Sequence, residues 1–84
     1  MPKVEIYTTP YCPYCHAAKA LLDEKGVPYT ETTVTDPDDR AAMTQRANGR
    51  RTVPQIFVGE THVGGYDDMA ALDRSGQLDP LLRV

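Results

Sequence analysis

Polar and apolar positions alternate along Lys3-Val4-Glu5-Ile6-Tyr7-Thr8, and the β-branched and aromatic residues among them predict a half-buried strand. Thr9-Pro10-Tyr11 breaks the alternation, since proline also pushes the residue before it out of helical geometry. From Pro13 to about Lys25 the chain turns to strong helix formers (Ala17, Ala18, Ala20, Leu21, Leu22), and Gly26 supplies the stop. Val27 to Val34 predicts a second strand, with Pro28 at its start, where a missing N–H is tolerated. Asp36-Pro37-Asp38-Asp39 reads as a helix entry: an aspartate cap, a proline in the first turn, and two acids against the positive helix end. That helix runs through Met43 to about Ala47 and stops at Asn48-Gly49. Gln55–Val58 and Thr61–Val63 are short strands joined at Gly59-Glu60, a hairpin. A last helix is predicted over roughly Asp67 to Arg74, with Gly76 after it. The order is β-α-β-α-β-β-α, an α/β architecture. A strand-helix-strand start demands a parallel pair with a right-handed crossover, and the hairpin adds antiparallel strands. Met43, Ile56, Phe57, Met69 and Leu72 fall at core spacing.

Length and composition narrow the class. The 84 residues are enough for one domain, assigned to 1–84, with a thin core. Hydrophobic residues make up 40% and charged residues 25%, which excludes wholesale disorder. No apolar run of ~18 residues is present, and Glu5 sits where a signal peptide needs its apolar centre. The expectation is a cytoplasmic protein without a membrane partner. A net charge of −3 argues against a nucleic-acid partner, which calls for a basic face. The charge is uneven, however: Arg40, Arg46, Arg50 and Arg51 lie in one stretch free of acids, so a small anion could find a local positive pocket.

The chain has two cysteines, Cys12 and Cys15, in a single Cys-x-x-Cys pair. A disulfide-stapled secreted scaffold would need more cysteines closing longer loops. Cys12 falls where the first loop meets the first helix and Cys15 one turn later, so both sulfurs lie on one side of the first turn. The free N–H groups and dipole at that end favour a thiolate at Cys12, below the ordinary thiol value of ~8.5. Cys12 is then the attacking thiol and the more enclosed Cys15 the resolving one. Other uses of the pair fit less well. Cys-Pro-Tyr-Cys-His also matches a covalent haem pattern, but that use wants an exported chain and a second axial ligand. A zinc site could recruit His16 and His62 by count, yet His16 points to a different face from Cys15. No metal site is assigned.

Three motifs stand in order: Cys12-Pro13-Tyr14-Cys15 behind a strand, Thr52-Val53-Pro54 before the third strand, and Gly64-Gly65 before the last helix. With them the chain resembles the glutaredoxin family, in its small bacterial dithiol class, over essentially its whole length. The resemblance implies a thioredoxin fold with a four-stranded mixed sheet flanked by helices. It implies an enzyme, a glutathione-dependent thiol–disulfide oxidoreductase, with no bound cofactor and glutathione as reducing co-substrate. Its partners would be glutathione and disulfide-bonded or glutathionylated proteins, and the chain would be a monomer.

The same resemblance implies roles. Cys12 would take up the glutathionyl group and Cys15 would resolve. Pro54 would be cis, with the Val53 backbone pairing with the cysteine of glutathione as an added strand. Thr52, Gly65, Tyr66, Asp67 and Asp68 would complete the site, the last helix offering N–H groups to a carboxylate and an aspartate meeting the ammonium. Apart from the resemblance, Tyr11 and Tyr14 flank the cysteines on exposed turns, where either substrate contact or simple packing is open to them, and Tyr14 is carried among the site residues. Lys19 and either Arg50 or Arg51, with Arg51 carried among the site residues, would meet the glycyl carboxylate. Thr9 stands where the family usually carries a lysine, so the Cys12 thiolate is expected to be less favoured than in lysine-bearing relatives. Tyr66 stands where small members often have a third cysteine. Two rivals remain: a redoxin served by thioredoxin reductase, and a glutathione-ligated [2Fe–2S] carrier.

Overall fold

The computed structural model describes residues 2–83, so the ends of the span 1–84 lie outside the described residues. The strands are β1 (Val4–Thr8), β2 (Thr30–Thr33), β3 (Gln55–Val58) and β4 (Thr61–Gly64). The helices are α1 (Pro13–Glu24), α2 (Pro37–Arg46), α3 (Tyr66–Arg74) and α4 (Leu78–Leu82). They form a four-stranded sheet in the order β2-β1-β3-β4. β1 and β2 are parallel, and the other two pairings are antiparallel. This is the mixed sheet of the thioredoxin fold.

Alternation along the central strands divides the core between two faces. Val4 and Ile6 of β1 and Ile56 and Val58 of β3 pack with Ala18 and Leu22 of α1, Met69 of α3, and Leu78 and Leu82 of α4. Each fully buried aliphatic side chain contributes ~1.5–3 kcal/mol by leaving water. Tyr7 and Phe57 point to the opposite face, edge to face with ring centroids 5.7 Å apart. Arg46 of α2 covers that face. Its guanidinium lies 4.0 Å from the Phe57 ring centroid and pairs with Glu5.

Two elements depart from the sequence reading. The second strand is shorter than Val27–Val34, because the backbone of residues 26 and 27 closes α1. The Gly26 N–H donates to Asp23 O and the Val27 N–H to Leu22 O, which delays pairing until Thr30. The resulting strand is a fully exposed edge. The sequence reading has no counterpart of α4. Pro80 sits in its first turn, where a proline does no harm, and Leu78 and Leu82 are one turn apart and fully buried. Helix α3 also begins one residue earlier than expected, at Tyr66.

Candidate active site

Cys12 is the N-cap of α1, and Pro13 fills the next position, where no N–H is needed. The Cys12 sulfur accepts the Cys15 N–H at 3.2 Å, an orphan donor of the first turn. Both thiols are free, and Cys15 is the more enclosed, 1% exposed against 9%. Burial, together with the neighbouring Cys12 sulfur, pushes the Cys15 thiol up to about 12, and a backbone contact from Thr9 opposes this only in part. Cys15 is therefore held as the neutral thiol at neutral pH.

Across from Cys12 lies the turn that leads into β3. The Val53–Pro54 peptide is cis. The Cys12 thiol faces the Val53 carbonyl at 3.7 Å. Beside this contact opens a cleft of about 130 Å³, lined by Tyr14, by Arg50 and Thr52-Val53-Pro54, and by Gly65-Tyr66-Asp67-Asp68. Tyr14 and Tyr66 stack across it with centroids 6.3 Å apart.

The far wall is the N-terminus of α3. Asp68 closes a capping box by accepting the Gly65 N–H at 2.9 Å, and the same oxygen accepts from the Arg50 guanidinium at 2.9 Å. The Gly65 N–H and then Arg50 hold the Asp68 carboxyl below its ordinary value. Asp67 has no side-chain hydrogen bond or ion pair among the described residues, so its carboxylate remains open to the cleft.

Two sequence assignments are corrected by this geometry. Lys19 does not reach the cleft: its amine pairs with Glu31 at 3.0 Å, and Glu31 also accepts from the Thr8 hydroxyl at 2.6 Å. Arg51 also faces elsewhere, into a hollow beside Pro37 and Arg40, and Arg40 donates to its carbonyl. Arg50 lines the cleft instead, with its guanidinium held by Asp68. Of the four clustered arginines, only Arg50 lines the cleft. Among the described residues, no group of three or more His, Cys, Asp or Glu side chains is arranged to hold a metal ion.

The sequence reading also omits Gln55 and the role of His62 beside it. The Gln55 amide is fully buried behind Thr52, with its oxygen 2.7 Å from Nε2 of the His62 ring. A polar side chain in an otherwise apolar strand, Gln-Ile-Phe-Val, was the available signal.

Comparison with known proteins decides the family. The glutaredoxin family profile matches residues 4–63. The chain belongs to the glutaredoxin family. It is 54% identical to a glutaredoxin of Pseudomonas aeruginosa over 82 residues, covering 98% of each chain. It is 51% identical to glutaredoxin 3 of Escherichia coli over 83 residues, covering 99% of this chain and 100% of the relative. Its fold superposes on a buckwheat glutaredoxin–glutathione complex with a TM-score of 0.88 and 34% identity, covering 98% of this chain and 77% of the other. Like its glutaredoxin relatives, the chain is a thiol–disulfide oxidoreductase.

Proposed function

We propose that this glutaredoxin draws its electrons from glutathione and binds the tripeptide in the cleft beside Cys12. The observation that carries this reading is the complementarity of the lining. Glutathione offers a central cysteine amide, an ammonium and two carboxylates. The cleft offers the Val53 backbone beside Cys12, the open Asp67 carboxylate, the Arg50 guanidinium and the N-terminus of α3. Asp67, not Asp68, meets the ammonium, because the Asp68 carboxylate is already held by the Gly65 N–H and Arg50. Tyr14 and Tyr66 flank the peptide, and Thr52 and Pro54 complete the side along Val53.

The chemistry follows from the two thiols. The Cys12 thiolate attacks the sulfur of a glutathionylated protein, forming a Cys12–glutathione disulfide and expelling the protein thiolate, which takes up a proton. A glutathione thiolate then attacks the glutathione sulfur of that disulfide, releasing glutathione disulfide and restoring Cys12. With a protein disulfide as substrate, the mixed disulfide on Cys12 is resolved by Cys15, which forms the Cys12–Cys15 bond and releases the second protein thiol. In the mixed disulfide no Cys12 thiolate is left to oppose ionisation of Cys15, while burial, the largest cause of its raised pKa, remains. The enzyme acts as a monomer in the reducing cytoplasm, where protein disulfides are transient.

The test is the coupled assay with NADPH, glutathione reductase and a glutathionylated peptide. Wild type and Cys15→Ser are expected to turn over and Cys12→Ser to be inactive. A wild type that is inactive here but reduced by thioredoxin reductase would overturn the reading.

A further inference from the structure

The Gln55 side chain lies directly behind the cleft, fully buried at the first position of β3. Its Nε2 group donates to the Thr52 carbonyl at 3.0 Å and approaches the Thr52 hydroxyl at 3.2 Å. A carbonyl only accepts, so this end of the amide must be the NH2 group. The Oε1 atom then faces His62, whose Nε2 is 2.7 Å away and must carry the proton. The Nδ1 atom, left with a lone pair, faces the Asn48 amide nitrogen at 3.4 Å, a weak contact of matching polarity. The ring is stacked on Phe57 with centroids 4.8 Å apart. The donors thus run in one direction, from Asn48 through His62 and Gln55 to Thr52.

We propose that His62 is a positioning residue for the substrate-binding turn, donating from Nε2 to Gln55 so that the amide stays oriented to hold Thr52. Without that donor the Gln55 amide is free to turn over, which sets its oxygen against the Thr52 carbonyl. Thr52 and Val53 then lose their fixed register beside Cys12, a position where small displacements weaken binding. Burial, the largest cause, lowers the His62 pKa, with Arg50 and Arg46 acting in the same direction and Asp68 against them. The ring is accordingly neutral near pH 7, as a single-proton relay requires. The inference rests on the reading that Thr52 and Val53 hold glutathione.

Steady-state kinetics and 15N spectra of the His62 ring test it together. In wild type the ring should show the Nε2–H tautomer. His62→Phe keeps the stack on Phe57 but removes the donor, and should raise KM for a glutathionylated peptide about fivefold, the worth of one hydrogen bond, with kcat little changed. His62→Gln places an NH2 group near the Nε2 position and should recover most of the loss. Asn48→Gly keeps the positive φ of that residue and removes the contact to Nδ1. It should shift the ring toward the Nδ1–H tautomer and raise KM about twofold, and it reports even where His62→Phe fails to fold. An Nδ1–H ring in wild type, an unchanged KM in folded His62→Phe, or no rescue by His62→Gln would overturn the proposal. The same peptide capped with cysteine separates the two readings. A wild type that does not prefer the glutathione cap refutes the glutathione site, whereas a preference that His62→Phe leaves intact refutes the relay alone.

Discussion

The Cys15 amide donates to the Cys12 sulfur at 3.2 Å, while the Cys15 sulfur is buried beneath the same turn. One cysteine therefore serves the other with its backbone while its own thiol is kept from ionising. With the Cys15 pKa pushed up to about 12, its thiolate is scarce at pH 8. Iodoacetamide is expected to label Cys12 alone in the native protein and Cys15 only after unfolding. Peptide mass mapping across a pH series checks this. Labelling of native Cys15 at a rate close to that of Cys12 would contradict the burial argument.

Gly64 and Gly65 should respond differently to a methyl group. Gly64 has φ +111°, and a Cβ there would run into the Asp68 carboxylate and the Arg50 guanidinium. Gly65 has an extended backbone, with the nearest atoms to an added Cβ at ordinary contact distance. Gly64→Ala is expected to cost about 1–3 kcal/mol, and Gly65→Ala about 1 kcal/mol or less through the poorer cap. Urea unfolding of the two variants measures the contrast, and equal losses would show that the Gly64 turn relaxes freely.

Acid should weaken the fold through Glu31, which joins β2 to Lys19 and Thr8. The Thr8 hydroxyl and then Lys19 lower its pKa from the ordinary 4.5. The folded state therefore releases this proton more readily than the unfolded chain. The stabilisation is complete above about pH 4.5 and is lost as pH falls through the lower folded value. Thr8→Val keeps the shape and removes the largest cause, so its decline in urea midpoint below pH 4.5 should be shallower than that of wild type. Parallel curves would assign the acid sensitivity to other carboxylates, such as Asp68 and Glu5, which are also lowered.

Elements set by strong local chemistry are legible in the sequence, and those decided by tertiary pairing are not. The caps at Cys12 and Asp36, the hairpin across Gly59-Glu60 and the β-α-β-α-β-β-α order are visible because each rests on a few neighbouring residues. Helix α4 is hidden because five residues give too short a periodic signal, and its two leucines acquire meaning only against the core. The pairing of Lys19 away from the cleft is hidden for a related reason. A lysine one turn beyond Cys15 points toward whichever acid the sheet brings near it, and that acid, Glu31, is twelve residues away. Arg50 and Arg51 are equivalent by composition, and the partner that separates them, Asp68, lies on another element.

That separation gives a direct test on binding. The Arg50 guanidinium is held at the cleft by Asp68, while Arg51 faces the hollow beside Pro37 and Arg40. A charge-assisted bond from Arg50 to a glutathione carboxylate predicts that Arg50→Gln raises KM for a glutathionylated peptide on the order of five- to tenfold. Arg51→Gln should change it by no more than about twofold, as for an exposed charge without a ligand. Asp68→Asn should follow Arg50→Gln in direction, because it releases the guanidinium. The double variant should then lose less than the two single losses combined, since both act on one contact. If Arg51→Gln carries the larger loss, the arginine that meets glutathione is the one beside Arg40, and the Asp68–Arg50 pair is a clasp on the helix cap alone.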